Sequence, residues 1–302
     1  MTEMIRGVLF LVFATLLWSS NYIVGRSLAP DMPALFLNGI RWVISAVEFG
    51  MLLLLTGQGF VLIKKWREFS LLGFVGIFIF SAFTYLGLKS VPASQAGMIA
   101  GLESVTMLLS AVIFLRERPR FMRWVGVIIS VLGVFLLLQL GNTNGHLSVN
   151  LGDADLFVAA LAWGVYSGLG SKLGSDLDSL TLTSGAAIYG AIPSGVAALY
   201  SLRTASFHMT REQWLVLIYI STAATVAAYF LWTIGVKRLG VSGSAPFLNL
   251  LPIWTVILGI AILREKVTIL QYMSGAVILL GTWLAGDRAT AWRLWRGLRT
   301  RN

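Results

Sequence analysis

The sequence predicts an all-α integral membrane protein of ten transmembrane helices, arranged as two inverted five-helix repeats with both termini cytoplasmic. Three observations carry that expectation. Of 302 residues, 57% are hydrophobic and only 12% charged, about half the charged share of an ordinary soluble domain. The apolar runs are long enough to cross about 30 Å of hydrocarbon, which takes about 20 helical residues. A charged phrase, Leu115-Arg116-Glu117-Arg118, returns 148 residues later as Leu263-Arg264-Glu265-Lys266, each copy closing one apolar run and opening another.

The runs follow in order. The first, 7–25, is too long for a signal peptide and lacks a clear small-residue cleavage site, so it reads as a mature span; it carries Trp18, Asn21 and Tyr22. The second, 33–55, holds Arg41 and Glu48. The third, 69–88, contains LLGFVGIFIF, which lacks the period-two alternation of a barrel strand, and bears Tyr85 near its end. The fourth, 92–115, has Glu103 near its middle and stops at the charged phrase. The fifth is 121–140. A segment 141–150 links the halves outside the membrane. The sixth, 151–171, is glycine-rich and carries Trp163; the seventh is 180–201; the eighth, 212–235, carries Trp232. The ninth, 241–263, has Asn249 and Pro252 and stops at the second copy of the phrase, and the tenth is 268–286.

Orientation follows from Lys and Arg, which collect in cytoplasmic loops. With the N-terminus inside, inner segments hold 16 of them and outer segments six, with Arg41 left within a span. The net charge of +10 therefore needs no nucleic acid as partner. Much of it lies in the tail 287–302, where Trp292, Trp295 and Leu298 alternate with Arg293, Arg296 and Arg299 at helical spacing. Such a segment either lies in the headgroup layer, with its arginines on anionic lipid, or binds a regulatory partner. The absence of cysteine excludes disulfides, thiolate metal sites and cysteine nucleophiles.

At a constant offset of 148, Gly87 and Lys89 fall on Gly235 and Lys237, Ser94 on Ser242, Leu102 on Leu250, Trp124 on Tyr272, and Leu132-Gly133 on Leu280-Gly281. Near the start the offset is 145, and Trp18 falls on Trp163. Ordered matches over about 50 residues point to duplication. The repeats are 1–140 and 151–286, each of five spans. Because five is odd, the second copy enters the membrane from the opposite side, and such pairs exchange conformations to give alternating access.

On these residues the chain resembles the drug/metabolite transporter superfamily, within it the EamA-type exporters, and among those the exporters of aromatic amino acids. The resemblance rests on Trp18-Ser19, Arg41, Leu115-Arg116-Glu117 with Gly126 and Gly133, and the echo in Trp163, Pro252, Arg264-Glu265 and Gly281. It implies a bacterial inner-membrane protein whose central cavity is lined mainly by helices one, three, four, six, eight and nine. One departure stands out: Glu103-Ser104 occupies the place of Leu251-Pro252. A proline is usual there in the family, so the fourth helix is expected to kink less than the ninth.

Ionisable residues inside spans cost a few kcal/mol each and default to functional hypotheses. Glu103, near the midplane, either receives a substrate ammonium or a coupling proton, or packs as a hydrogen-bonded helix contact. Arg41 and Glu48 share a face but lie about 10 Å apart along the axis, so they are not expected to pair. With the second helix expected at the periphery, both read as structural intramembrane charges, Arg41 clamping carbonyls of a neighbour or, alternatively, taking a substrate carboxylate. Trp18, Trp163, Tyr22, Tyr85 and Trp232 are candidate substrate contacts, since rings hold flat solutes and ammonium groups; each can equally be a lipid-facing anchor. Asn21 and Asn249 are candidate polar contacts or helix glue. Gly97-x-x-x-Gly101 and Gly164-x-x-x-Gly168 permit close helix approach.

No phosphate-loop spacing is present, so nothing implies ATP as an energy source. His146 and His208 fall in loops and the aspartates at span ends, which leaves no buried catalytic pair, so neither an enzyme nor a metal or other cofactor is expected. The expected function is secondary transport of amino acids, aromatic ones favoured, out of the cell. A channel, or an exporter of other amphipathic metabolites or cationic drugs, is the alternative. A monomer suffices for any of these.

Overall fold

The computed structural model describes residues 2–140, 150–204, 207–239 and 245–285. Among them every regular element is helical. The basic tail and nearly all of the linker lie outside the described residues.

Ten helices follow the predicted runs. Helix α1 is Thr2–Leu28 and α2 Ala34–Leu55; α3 is Trp66–Leu88 and α4 Ala93–Leu115; α5 is Phe121–Leu140. Helix α6 is Leu151–Leu173, α7 Ser179–Thr204, α8 Arg211–Val236, α9 Leu250–Leu263 and α10 Ile269–Ala285. Seven of them, α1–α4 and α6–α8, are long and apolar enough to cross a membrane, while the apolar stretches of α5, α9 and α10 are shorter. Large apolar side chains cover their outward faces: Met51, Ile113, Val196 and Ile262 are all more than half exposed, which water would penalise and lipid would not.

The boundaries have local causes. Proline starts α2 and α4, at Pro33 and Pro92, where a missing N–H costs nothing. Asn150 with Asp153, and Thr210 with Gln213, form reciprocal caps at the starts of α6 and α8. The repeated phrase is a helix stop. Arg116 and Arg264 have φ of 57° and 56°, and the next amide in each case bonds back six residues, Glu117 to Ala111 and Glu265 to Gly259. These are the same left-handed termination built twice without glycine.

Packing is symmetric under exchange of each helix with the one five places on. Helix α1 lies on α8 and α9, as α6 lies on α3 and α4, while α2 pairs with α7, α4 with α9 and α5 with α10. The α5–α10 contact shows this at atomic detail. A Cβ on Gly133 would strike Ile278, and one on Gly281 would strike Ser130, two positions themselves 148 apart. The small-residue spacings act as expected: Gly164 rests on the Thr106 backbone, Gly168 on Ser110, and Gly97 on Thr255.

Two features depart from expectation. Helix α4 is broken despite lacking a proline: the Gly101 and Leu102 amides make tight bonds three residues back, to Met98 and Ile99, before the helix resumes at Glu103. Helix α9 is preceded at the matching position by a 3₁₀ segment, Ala245–Asn249. The expected difference in kinking is therefore not found, because a glycine and a switch to three-residue bonding suffice to break the helix. The second feature is a π-helical stretch in each of α3 and α8, Gly73–Ile79 and Thr222–Ala227, again at repeat-related positions.

Candidate functional site

The breaks and π-helical stretches surround a central cavity. Its inner part is a recess of about 50 Å³, lined by Trp18, Asn21 and Tyr22 of α1, Arg41 and Trp42 of α2, Phe80, Ser81 and Thr84 of α3, Glu103 of α4, Trp163 of α6, Ala224 and Tyr229 of α8, and Leu248 and Leu251 at the start of α9. Beside it lies a vestibule of about 360 Å³ that shares Trp18, Trp163, Tyr229 and Leu248 as wall residues. The vestibule adds Met107, Tyr166, Trp232 and Thr233, and runs toward the α6–α7 connection past Gly170, Gly174 and Ser175. At the opposite end Leu88, Val91, Ala93 and Ala96 are fully buried. There Glu265 accepts the Ala93 and Ser94 amides at 2.7 and 2.9 Å, and Arg26 donates to the Leu88 and Lys89 carbonyls, both at 2.8 Å.

Arg41 is therefore not a peripheral clamp. It is 6% exposed and lines the recess. Its Nε donates to Thr225 Oγ1 at 2.9 Å, and its Nη1 donates to Ser81 Oγ and Tyr85 OH, each at 3.1 Å. Thr225 belongs to the π-helical stretch of α8, and its hydroxyl donates in turn to the Ile220 carbonyl. The guanidinium also lies 4.8 Å from the Trp42 ring centroid, a cation–π contact. Among the described residues Nη2 has no hydrogen-bond partner, and no carboxylate lies within ion-pair distance of Arg41. Helix α2, expected outside the cavity, thus supplies its cation. It does so because α2 packs face to face with α7 and against α3 and α8 at once.

Glu103 lies where its sequence position indicates, 7% exposed and on the recess wall. Its Oε1 accepts from Tyr22 OH at 3.4 Å, and its Oε2 has no partner among the described residues. Tyr85 does not line the cavity. It is 1% exposed and lies behind the wall, donating to Asn21 Oδ1 at 2.6 Å while accepting from Arg41. A chain from Arg41 through Tyr85 to Asn21 thus fixes the guanidinium, and the neighbouring residue Tyr22 makes a long contact with the Glu103 carboxyl group.

The remaining candidates divide. Trp18 and Trp163, related by the repeat, face the same recess from α1 and α6. Trp18 sits 5.2 Å from both Tyr229 and Trp232, and Trp163 sits 5.0 Å from Phe80 and 5.6 Å from Tyr166, centroid to centroid. The indole N–H groups of Trp18, Trp42 and Trp163 have no acceptor among the described residues. Trp232 lines the vestibule only. Asn249 lines neither space and sits at the broken start of α9 with its Oδ1 unpartnered. Glu48 is outside the cavity, accepting from Thr222 Oγ1 at 2.6 Å, and does not meet Arg41. Trp42, Ser81, Thr84 and Thr225 were not singled out from sequence; the glycines of the Gly73–Ile79 stretch are the one local sign that α3 is irregular there. Among the described residues no group of carboxylates and histidines could hold a metal ion.

Comparison with known proteins agrees with this architecture. Residues 5–139 and 150–286 each match the EamA-like transporter family. The chain is 27% identical over 298 residues to a probable amino-acid metabolite efflux pump of Escherichia coli (strain K12), covering 92% of this chain and 93% of that protein. It is 26% identical over 221 residues to the uncharacterized transporter YyaM of Bacillus subtilis (strain 168), covering 72% of each. One crystal structure superposes with a TM-score of 0.66 at 20% identity over 97% of this chain and 98% of that one, a likeness of fold.

Proposed function

Because the chain belongs to the EamA-like transporter family, we propose that it is a secondary transporter of the bacterial inner membrane that exports amino acids, aromatic ones favoured, by alternating access. In this reading α5, α9 and α10 also span the bilayer, giving ten crossings with both termini in the cytoplasm. The repeats 1–140 and 151–286 are the two inverted halves, and the vestibule opens to the cytoplasm.

The observation that carries the proposal is the cavity itself. It lies between the halves, where inverted-repeat transporters hold their substrates. Its vestibule of about 360 Å³ falls in the range of small-molecule pockets, about 300–1,000 Å³. Tryptophan and tyrosine rings form its walls, which suits a flat apolar side chain. The seal at the Glu265 end and the opening at the other give one of the two states that alternating access requires. Export of amino-acid metabolites, ascribed to the Escherichia coli relative, is consistent with such a cavity.

The test is flux in liposomes holding only the purified protein, comparing labelled Phe, Tyr and Trp with Thr, Ala and Lys, with and without a pH gradient. Saturable flux selective for the aromatic amino acids is the expected result, and dependence on the gradient would make Glu103 the first residue to replace in a test for the coupling proton. Absence of flux for every amino acid would refute the substrate assignment.

A further inference from the structure

Arg41 and Glu103 share one small recess and form no ion pair with each other. A buried ion without a counter-ion is costly, and the usual remedy is a paired ion with its remaining hydrogen bonds satisfied. Arg41 is instead held by three neutral oxygens, those of Thr225, Ser81 and Tyr85. Glu103 receives one long bond from Tyr22, although an ionised carboxylate offers about four acceptor sites. Asn21 and Tyr22, consecutive on α1, hold the two groups to separate anchors. Each of the two groups keeps one terminal atom, Arg41 Nη2 and Glu103 Oε2, with no hydrogen-bond partner among the described residues. The recess volume of about 50 Å³ admits a few water-sized groups, since one water needs about 10–15 Å³ by this measure. It has room for a polar head and none for a large side chain.

We propose that this recess is a zwitterion site, in which Arg41 takes the α-carboxylate of the substrate and Glu103 its α-ammonium, while the side chain extends into the aromatic vestibule. The proposal rests on the amino-acid reading of the cavity and deepens it by assigning the two ends of the head group. An α-amino acid brings both missing counter-ions at once, one for each anchored charge. A lone organic cation leaves Arg41 uncompensated and meets its repulsion. A lone carboxylate or a phosphate meets Glu103 in the same way. Charge-assisted bonds to guanidinium and carboxylate are the strong ones, so the head group supplies the discrimination and the rings set the side-chain class.

The experiment uses the full chain in proteoliposomes and measures inhibition of labelled phenylalanine flux by phenylalanine, phenethylamine and 3-phenylpropanoate. In the wild type the amine and the acid each inhibit at least about tenfold more weakly than the amino acid, the loss expected from one missing charge-assisted bond. Glu103→Gln weakens phenylalanine about tenfold or more and leaves the affinity for 3-phenylpropanoate unchanged or improved. Arg41→Gln does the converse, sparing phenethylamine. Because Arg41→Gln also removes three structural bonds, Arg41→Lys accompanies it: the charge remains, the fork is lost, and phenylalanine weakens while its preference over phenethylamine persists in reduced form. A wild type that takes the amine or the acid as well as phenylalanine overturns the zwitterion site and leaves amino-acid export standing. So does a Glu103→Gln variant that loses the acid as steeply as the amino acid. A wild type that moves no amino acid overturns both.

Discussion

Replacing Glu265 tests how the closed end of the cavity is held. The carboxylate accepts the Ala93 and Ser94 amides at 2.7 and 2.9 Å from across the repeat boundary, at the start of α4, where the helix dipole also favours an anion. Gly259 makes room for it: a Cβ there would stand 2.8 Å from Glu265 Oε2. A hydrogen bond to a charged group contributes about 1.5–3 kcal/mol. Glu265→Gln keeps one acceptor oxygen and loses the other together with the charge. The closed end is therefore weakened by about 1.5–3 kcal/mol, or about 10- to 150-fold in its opening equilibrium. The chain contains no cysteine, so a single reporter is clean. Ala96→Cys, at a fully buried position near that end, is expected to react with a thiol reagent at least about tenfold faster in the Glu265→Gln background. Ala187→Cys, equally buried in the α7 packing, is the control. Equal acceleration of both reporters would mean general loosening, and no acceleration of Ala96→Cys would mean the two bonds do not hold that end; either result refutes the reasoning.

Three further outcomes follow from local geometry. Gly164→Ala puts a methyl group 2.6 Å from the Thr106 carbonyl carbon and is expected to cost about 1–3 kcal/mol, lowering the thermal midpoint, whereas Gly50→Ala, with nothing nearer than 4.0 Å, does not lower it, since alanine is the better helix former. Arg264→Gly relieves a left-handed residue whose conformation costs about 1–2 kcal/mol and raises the midpoint, while Arg264→Val, β-branched at the same φ, lowers it; thermal unfolding of the pair decides. Lys65 hydrogen-bonds Asp176 and holds its carboxyl below the usual range. A depressed carboxylate stabilises above its unfolded pKa and loses that contribution as pH falls through its folded value. The small midpoint difference between wild type and Asp176→Asn is therefore expected at neutral pH and to vanish on acidification, since the pair is exposed and screened.

The helices were legible because hydrophobic length is a local property: each predicted run contains one helix, with ends moved by a few residues except in the ninth, where a 3₁₀ segment precedes the helix that starts at Leu250. The repeat was legible for a stronger reason. Leu-Arg-Glu marks a helix stop with a left-handed arginine, so the same phrase recurs wherever that stop is built. Glu265 then acquires a further part on the α4 amides. Glu103 was placed by its mid-span position, and Trp18 and Trp163 by the repeat offset and their ring chemistry; all three line the recess. Arg41 was misplaced to the periphery because its position depends on how α2 packs against α3, α7 and α8, which no local pattern encodes. The same holds for Tyr85, whose ring chemistry suggested a substrate contact and whose hydroxyl is used to join Arg41 to Asn21. The break at Gly101-Leu102 and the two π-helical stretches leave almost no compositional mark, because each changes which carbonyl an amide reaches and not which residues are apolar.

The most direct test of the central claim, that the recess is a substrate site reached in turn from each side, is a single reporter within it. Thr84→Cys, on the recess wall and 4% exposed, is labelled with a membrane-impermeant thiol reagent from either face of oriented vesicles. Reaction is expected from both faces, with protection by saturating phenylalanine and little protection by phenethylamine or 3-phenylpropanoate. Labelling from one face only, or labelling indifferent to phenylalanine, would contradict it.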